Sequence, residues 1–176
     1  MSLREQISCA IQGDVVVMGI GNPCRGDDAA GSRVAQQLFG VPGAYVIDAQ
    51  DVPENYVSQA ADQHPGTVVL IDCVDLQSEP GSVAFFDLGK DQTVAYWPST
   101  HRVPMSLLVD YLQRTTHARV FLIAIQPQQT GFLQPISTEV LSSVNGIARL
   151  LNDVLLGRRM SAISEGASPQ RGALPA

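Results

Sequence analysis

The sequence predicts an α/β fold: a three-layer sandwich in which about five mostly parallel strands carry helices on both faces. Five short runs are apolar and rich in β-branched or aromatic residues, the composition of strands buried on both faces. Most are separated by segments of helical periodicity, and strand–helix alternation packs as a parallel sheet between helical layers. A length of 176 residues with 45% hydrophobic and 16% charged residues suits one globular domain.

The first strand is Val15 to Ile20 (VVVMGI). Asp27 to Leu38 then opens with two acids, which suit the positive end of a helix dipole. Ala44 to Asp48 (AYVID) is the second strand, and Pro53 stands where a first helical residue loses nothing by lacking an N–H. Thr67 to Cys73 (TVVLIDC) is the third. Ser82 to Leu88 comes after a short Pro80-Gly81 turn, too close for a crossover helix, so it is expected to run antiparallel. Pro104 opens a helix with Leu108, Tyr111 and Leu112 as its apolar stripe, and Arg119 to Ile125 is the last strand. The final helix, from about Ser137 to Leu156, repeats Val140, Val144, Ile147, Leu151 and Leu155 on one face and is expected to stop at Gly157. Residues 1–156 thus read as the domain, and 157–176, which lose periodicity and fill with Ser, Gly, Ala and Pro, as a loosely ordered tail.

Seventeen acids against ten Arg and the single Lys90 give a formal net charge of −6. Counterion release from nucleic acid needs a basic face, and so does docking on anionic lipid, so both partners are excluded. No apolar stretch approaches the ~20 residues of a membrane span. Arg4, Glu5 and Gln6 interrupt the N-terminal apolar residues, which rules out a signal-peptide core. Cys9, Cys24 and Cys73 form an odd set with no Cys-x-x-Cys, the usage of a reducing compartment without structural zinc; the expected location is cytoplasmic.

Ligands of open α/β sheets sit beyond the carboxyl ends of the strands. The first strand ends in GIGNPCRGDD (Gly19 to Asp28), the second at Asp48, the third at Asp72 with Asp75 three residues on. The loop before the helix at Pro104 ends Ser99-Thr100-His101. Acids and one imidazole thus gather on one rim. Crowded carboxylates repel one another unless a cation intervenes, and two carboxylates with one His leave open positions on a metal. Such a metal polarises a carbonyl or activates a bound water. These residues do not choose between Asp27 and Asp28, or between Asp72 and Asp75, and each acid taken singly also suits a cap or turn role. His64, beside Pro65, and His117, in a turn before a strand, are set aside as surface residues.

Two other site types fit less well. Gly19-x-Gly21 precedes Gly26 by four intervening residues, where a dinucleotide fingerprint needs two, and two acids would stand where pyrophosphate needs bare N–H groups. A cysteine hydrolase using Cys24 or Cys73 with His101 suffers from neighbouring carboxylates, which raise a thiol's pKa.

The run Gly19 to Asp28 resembles the opening signature of the NiFe-hydrogenase maturation endopeptidases. The resemblance continues through Val46-Ile47-Asp48, Val52 to Asn55, Leu70-Ile71-Asp72 with Asp75, Ser99-Thr100-His101 with Pro104, and Ile125-Gln126-Pro127 with Gly131-Phe132. It spans roughly Val15 to Leu155 and looks most like the branch serving formate-hydrogenlyase-type hydrogenases. Ala49 and Gln50 depart from it, since many members carry two glycines there. A monomer is expected because no exposed apolar stripe stands out. The resemblance implies a cytoplasmic, aspartyl-type endopeptidase that removes the C-terminal extension of the hydrogenase large-subunit precursor after nickel insertion. It implies Asp28, Asp72 and His101 as the residues contacting nickel, which the precursor supplies, and no organic cofactor. Asp27 then becomes the helix-start acid. Nickel would either polarise the scissile carbonyl or serve as the mark by which the precursor is recognised. A nickel-binding chaperone using the same rim is the competing reading, and a nucleotide-binding α/β protein a more distant one.

Overall fold

The computed structural model describes residues 1–90 and 104–166, with side chains to residue 161. Strands β1 (Val15–Ile20), β2 (Tyr45–Gln50), β3 (Thr67–Cys73), β4 (Val83–Asp87) and β5 (Arg119–Ile125) form one sheet in the order β2-β1-β3-β5-β4. β1 lies parallel to β2 and β3, and β3 parallel to β5. The strand expected to run antiparallel, β4, does so, but along β5, because β5 occupies the edge of β3 on that side.

Helices α1 (Leu3–Ala10), α2 (Ala30–Leu38) and α5 (Thr138–Gly166) bury their apolar faces on one side of the sheet, against Val15, Val17, Val69, Ile71 and Ile123. Helices α3 (Val57–Ala61) and α4 (Met105–Thr116) cover the other, against Val16, Met18, Val68, Leu70 and Leu122. β1 and β3 are buried at every residue, which is why they read as unbroken apolar runs.

Several local expectations are corrected. α1 is an additional helix; its signal is Ser2 with Glu5 three residues on, and the two close a capping box, Ser2 N–H to Glu5 Oε2 at 2.7 Å and Glu5 N–H to Ser2 Oγ at 3.3 Å. The acids Asp27 and Asp28 lie in a 3₁₀ turn (Gly26–Ala29) ahead of α2, and Pro53 likewise opens a 3₁₀ turn (Pro53–Tyr56) ahead of α3. Pro104 stands one residue before α4, and that helix turns Met105, Leu108, Val109 and Leu112 inward while Tyr111 is 49% exposed. The last helix does not stop at Gly157. Arg158 donates to the carbonyls of Ile11 (2.6 Å) and Gly13 (3.3 Å), tying the next turn to the end of α1 and offsetting the roughly 1 kcal/mol that glycine costs in a helix.

Two glycines decide how closely α2 approaches the sheet. A Cβ on Gly31 would stand 2.1 Å from the Ile71 carbonyl oxygen and 2.2 Å from that of Ile20; one on Gly19 would stand 2.1 Å from the Gly31 carbonyl oxygen. Backbone meets backbone here, so no side-chain rotation relieves the clash. Gly31→Ala is expected to destabilise the protein by about 3 kcal/mol or more. Urea unfolding measures this, and a loss below ~1 kcal/mol would contradict the packing described.

Candidate active site

The chain turns to opposite sides after β1, so the crevice of this sheet opens between the carboxyl ends of β1 and β3. Asp72 is the penultimate residue of β3, and Asp28 lies in the turn after β1. Both are buried, 2% and 1% exposed. Asp28 Oδ2 accepts the Asn22 N–H at 3.0 Å, and Asp72 Oδ1 accepts the N–H of Cys73 at 2.7 Å. Gly21, at φ +144°, makes the turn possible: a Cβ there would stand 1.8 Å from the Asp28 carbonyl oxygen.

The Cys73 thiol marks where the acids converge. It is buried and donates to the Asp27 carbonyl oxygen across 2.8 Å. Burial raises its pKa well above the ordinary value, and Asp72, Asp28 and Asp27 add to the rise in that order. The thiol thus stays neutral beside the main chain of Asp27, in the negative field of the neighbouring acids. A thiol held protonated is a poor nucleophile, which removes Cys73 from the cysteine-hydrolase reading.

Asp27 has a role that sequence reasoning missed. The expectation of a helix-start acid gave it to α2, yet its carboxylate bonds none of that helix. Its Oδ2 accepts the N–H groups of Gln128 (2.8 Å) and Gln129 (3.0 Å), and its Oδ1 the N–H of Ser137 (2.6 Å). The Ser137 hydroxyl bridges both oxygens at 2.9 Å. Asp27 N–H in turn donates to the Gln129 carbonyl at 3.1 Å. The carboxylate therefore holds the loop after β5 and sits at the start of α5.

The remaining acids separate by surroundings. Asp75 is exposed and turns the chain, accepting from Gln77 N–H at 3.0 Å and the Gln126 side chain at 3.3 Å. β2 continues two residues past Asp48, whose Oδ2 accepts from Gln36 at 2.9 Å. Asp48 Oδ1 and Glu54 Oε2 are buried without a hydrogen-bond partner. An unpartnered buried carboxylate oxygen suits a cation, and oxygen donors such as Asp28 and Asp72 are of the type that hard or borderline divalent ions take. His101 lies outside the described residues, and among those described no three Asp, Glu, His or Cys side chains are grouped to hold a metal. His64 and His117 both occupy left-handed turn positions, φ 47° and 57°.

The HycI family model, described as hydrogenase maturation protease, matches residues 33–153, a span that includes Asp72 and begins just after Asp28. A Methanocaldococcus jannaschii protein described as a putative hydrogenase maturation protease is 32% identical over 151 residues, 80% of this chain and 88% of its own. Hydrogenase 3 maturation protease of Escherichia coli K12 is 28% identical over 138 residues, 77% of this chain and 87% of its own. The crystal structure of the NiFe hydrogenase maturation protease HycI from Thermococcus kodakarensis KOD1 superposes with a TM-score of 0.75 at 29% identity, covering 85% of this chain and 98% of that one.

Asp27→Asn replaces an acceptor oxygen by a donor among N–H groups and is expected to lower stability by about 2–4 kcal/mol. Amide exchange at Gln128, Gln129 and Ser137 should accelerate most; an unchanged urea midpoint would refute the role. Iodoacetamide at pH 8 on the native protein is expected to alkylate the exposed Cys9 and Cys24 and spare Cys73, read by peptide mass spectrometry.

Proposed function

The chain belongs to the hydrogenase maturation protease family, and from that premise we propose that it removes the C-terminal extension of a NiFe-hydrogenase large-subunit precursor once nickel is in place. The observation that supports this reading is the pair Asp28 and Asp72, buried at the carboxyl ends of the two strands that flank the sheet's crevice. Asp28, Asp72 and His101 are the residues we assign to the precursor's nickel. Held by these residues, the precursor's nickel would supply Lewis-acid chemistry at the scissile carbonyl, and a rim carboxylate would take the proton of the attacking water. Water adds across the C–N bond, leaving a new C-terminal carboxylate on the subunit and a free amine on the released peptide.

The rigid setting of the two acids bears on rate, because carboxylates fixed before the substrate arrives need no reorganisation during reaction. Three free cysteines support a cytoplasmic place of action, and no helix among the described residues is long and apolar enough to cross a membrane.

The test is to incubate the protein with nickel-loaded and nickel-free precursor and weigh the precursor by mass spectrometry. Loss of a C-terminal peptide is expected only with nickel. Asp28→Asn should abolish it while leaving the unfolding free energy within ~1 kcal/mol of wild type; cleavage retained by a stable Asp28→Asn protein sinks the assignment. Isothermal titration with Ni²⁺ should show weak binding to the isolated protein, whereas tight binding with no cleavage would favour the chaperone reading.

A further inference from the structure

The loop after β5 carries at its tip two large apolar side chains set out in solvent: Phe132 is 66% exposed and Leu133 74%. Leu133 holds φ +56°, a conformation that side chains other than glycine, asparagine and aspartate seldom adopt. Its N–H donates to the Cys24 carbonyl at 2.7 Å, which joins the loop tip to the turn after β1. The same two segments are joined again at Asp27, through Gln128, Gln129 and Ser137. The apolar pair is thus held out by bonds on either side of it rather than left loose.

Around it apolar surface is interspersed with the uncharged side chains of Gln128 and Gln134. Pro23, Cys24 and Pro135 are exposed with it, the acids of the adjoining turn are buried, and Arg25 is the one exposed charge in these two stretches. The patch carries no basic stripe and so does not select nucleic acid, and the exposed Asp51, bonded by the Asn22 side chain at 3.2 Å, marks its edge. It matches an apolar stretch of polypeptide. Its place narrows the occupant further: Asp28 N–H bonds the Arg25 carbonyl at 3.1 Å, so patch and candidate active site share one turn of chain.

Resting on the function proposed above, we propose that Phe132 and Leu133, with Pro23 and Cys24 beside them, dock an apolar segment of the protein substrate next to the scissile bond. The patch sets substrate affinity, and the carboxylates set the chemistry.

The experiment compares processing of nickel-loaded precursor, over a range of precursor concentrations, by wild type, the double variant Phe132→Ser/Leu133→Asn and the conservative Phe132→Leu. Asparagine tolerates the positive φ, so the loop keeps its shape. The double variant is expected to raise KM at least about tenfold, ~1.4 kcal/mol, with kcat within twofold and the unfolding midpoint unchanged, while Phe132→Leu stays near wild type. Phe132→Ser alone serves if the double variant loses its unfolding transition. Unchanged KM overturns the proposal, as does a fall in kcat at constant KM. So does light scattering that shows a wild-type dimer dissociated by the double variant with KM unmoved, since the occupant is then a second copy. Wild type that never cleaves removes the functional reading itself, and the docking proposal with it.

Discussion

Burial of the Asp27 carboxylate is the contact on which the rim and the last helix both depend. A carboxylate removed from water without partners costs more than a marginally stable domain supplies. Here three backbone N–H groups and a hydroxyl enclose it at 2.6–3.0 Å, and hydrogen bonds to a charged acceptor are the strong kind. One of those N–H groups belongs to Ser137, directly before α5, so the negative charge also meets the positive end of a 29-residue helix. The turn after β1, the loop after β5 and the start of α5 become one unit, and Asp28 inherits its position from that unit.

The second constraint is steric. Gly19 and Gly31 bring the first turn of α2 against the carbonyls of Ile20 and Ile71, and a methyl group at either would push the turn carrying Asp28 away from the end of β3. This closeness buries Cys73 against the main chain of Asp27, and a thiolate there would add a negative charge to the field of Asp72, Asp28 and Asp27. The neutral thiol is the state that fits: small, buried, and able to donate its hydrogen to the Asp27 carbonyl.

Much of this is legible in the chain because parallel strands bring all their carboxyl ends to one edge. The residues at the carboxyl end of each apolar run are enough to bring Asp27, Asp28, Asp72 and Asp75 to one edge, without choosing within either pair. The hidden features are long-range or cooperative. Asp27 finds its partners 101 to 110 positions away, which no local pattern encodes. Helix α5 passes Gly157 because Arg158 reaches back to Ile11 and Gly13, a contact between distant parts of the chain. α1 carries a legible capping box, but eight residues are too few for an apolar periodicity to stand out beside it. Tyr111 falls out of the expected stripe because Met105 and Val109 face the sheet in its stead.

The adjacency of Asp27 and Asp28, which leaves the sequence undecided between them, is itself informative. Both lie in a 3₁₀ turn, where successive side chains diverge by about 120°. Two neighbouring carboxylates there cannot face the same partner. Asp27 faces the loop after β5, and Asp28 faces back to Asn22 in the turn after β1, beside the crevice. A substitution that freed Asp27 would therefore disturb the site without touching it, because the backbone positioning Asp28 is the backbone Asp27 anchors. One acid fixes the frame, and the next is set within it beside the crevice.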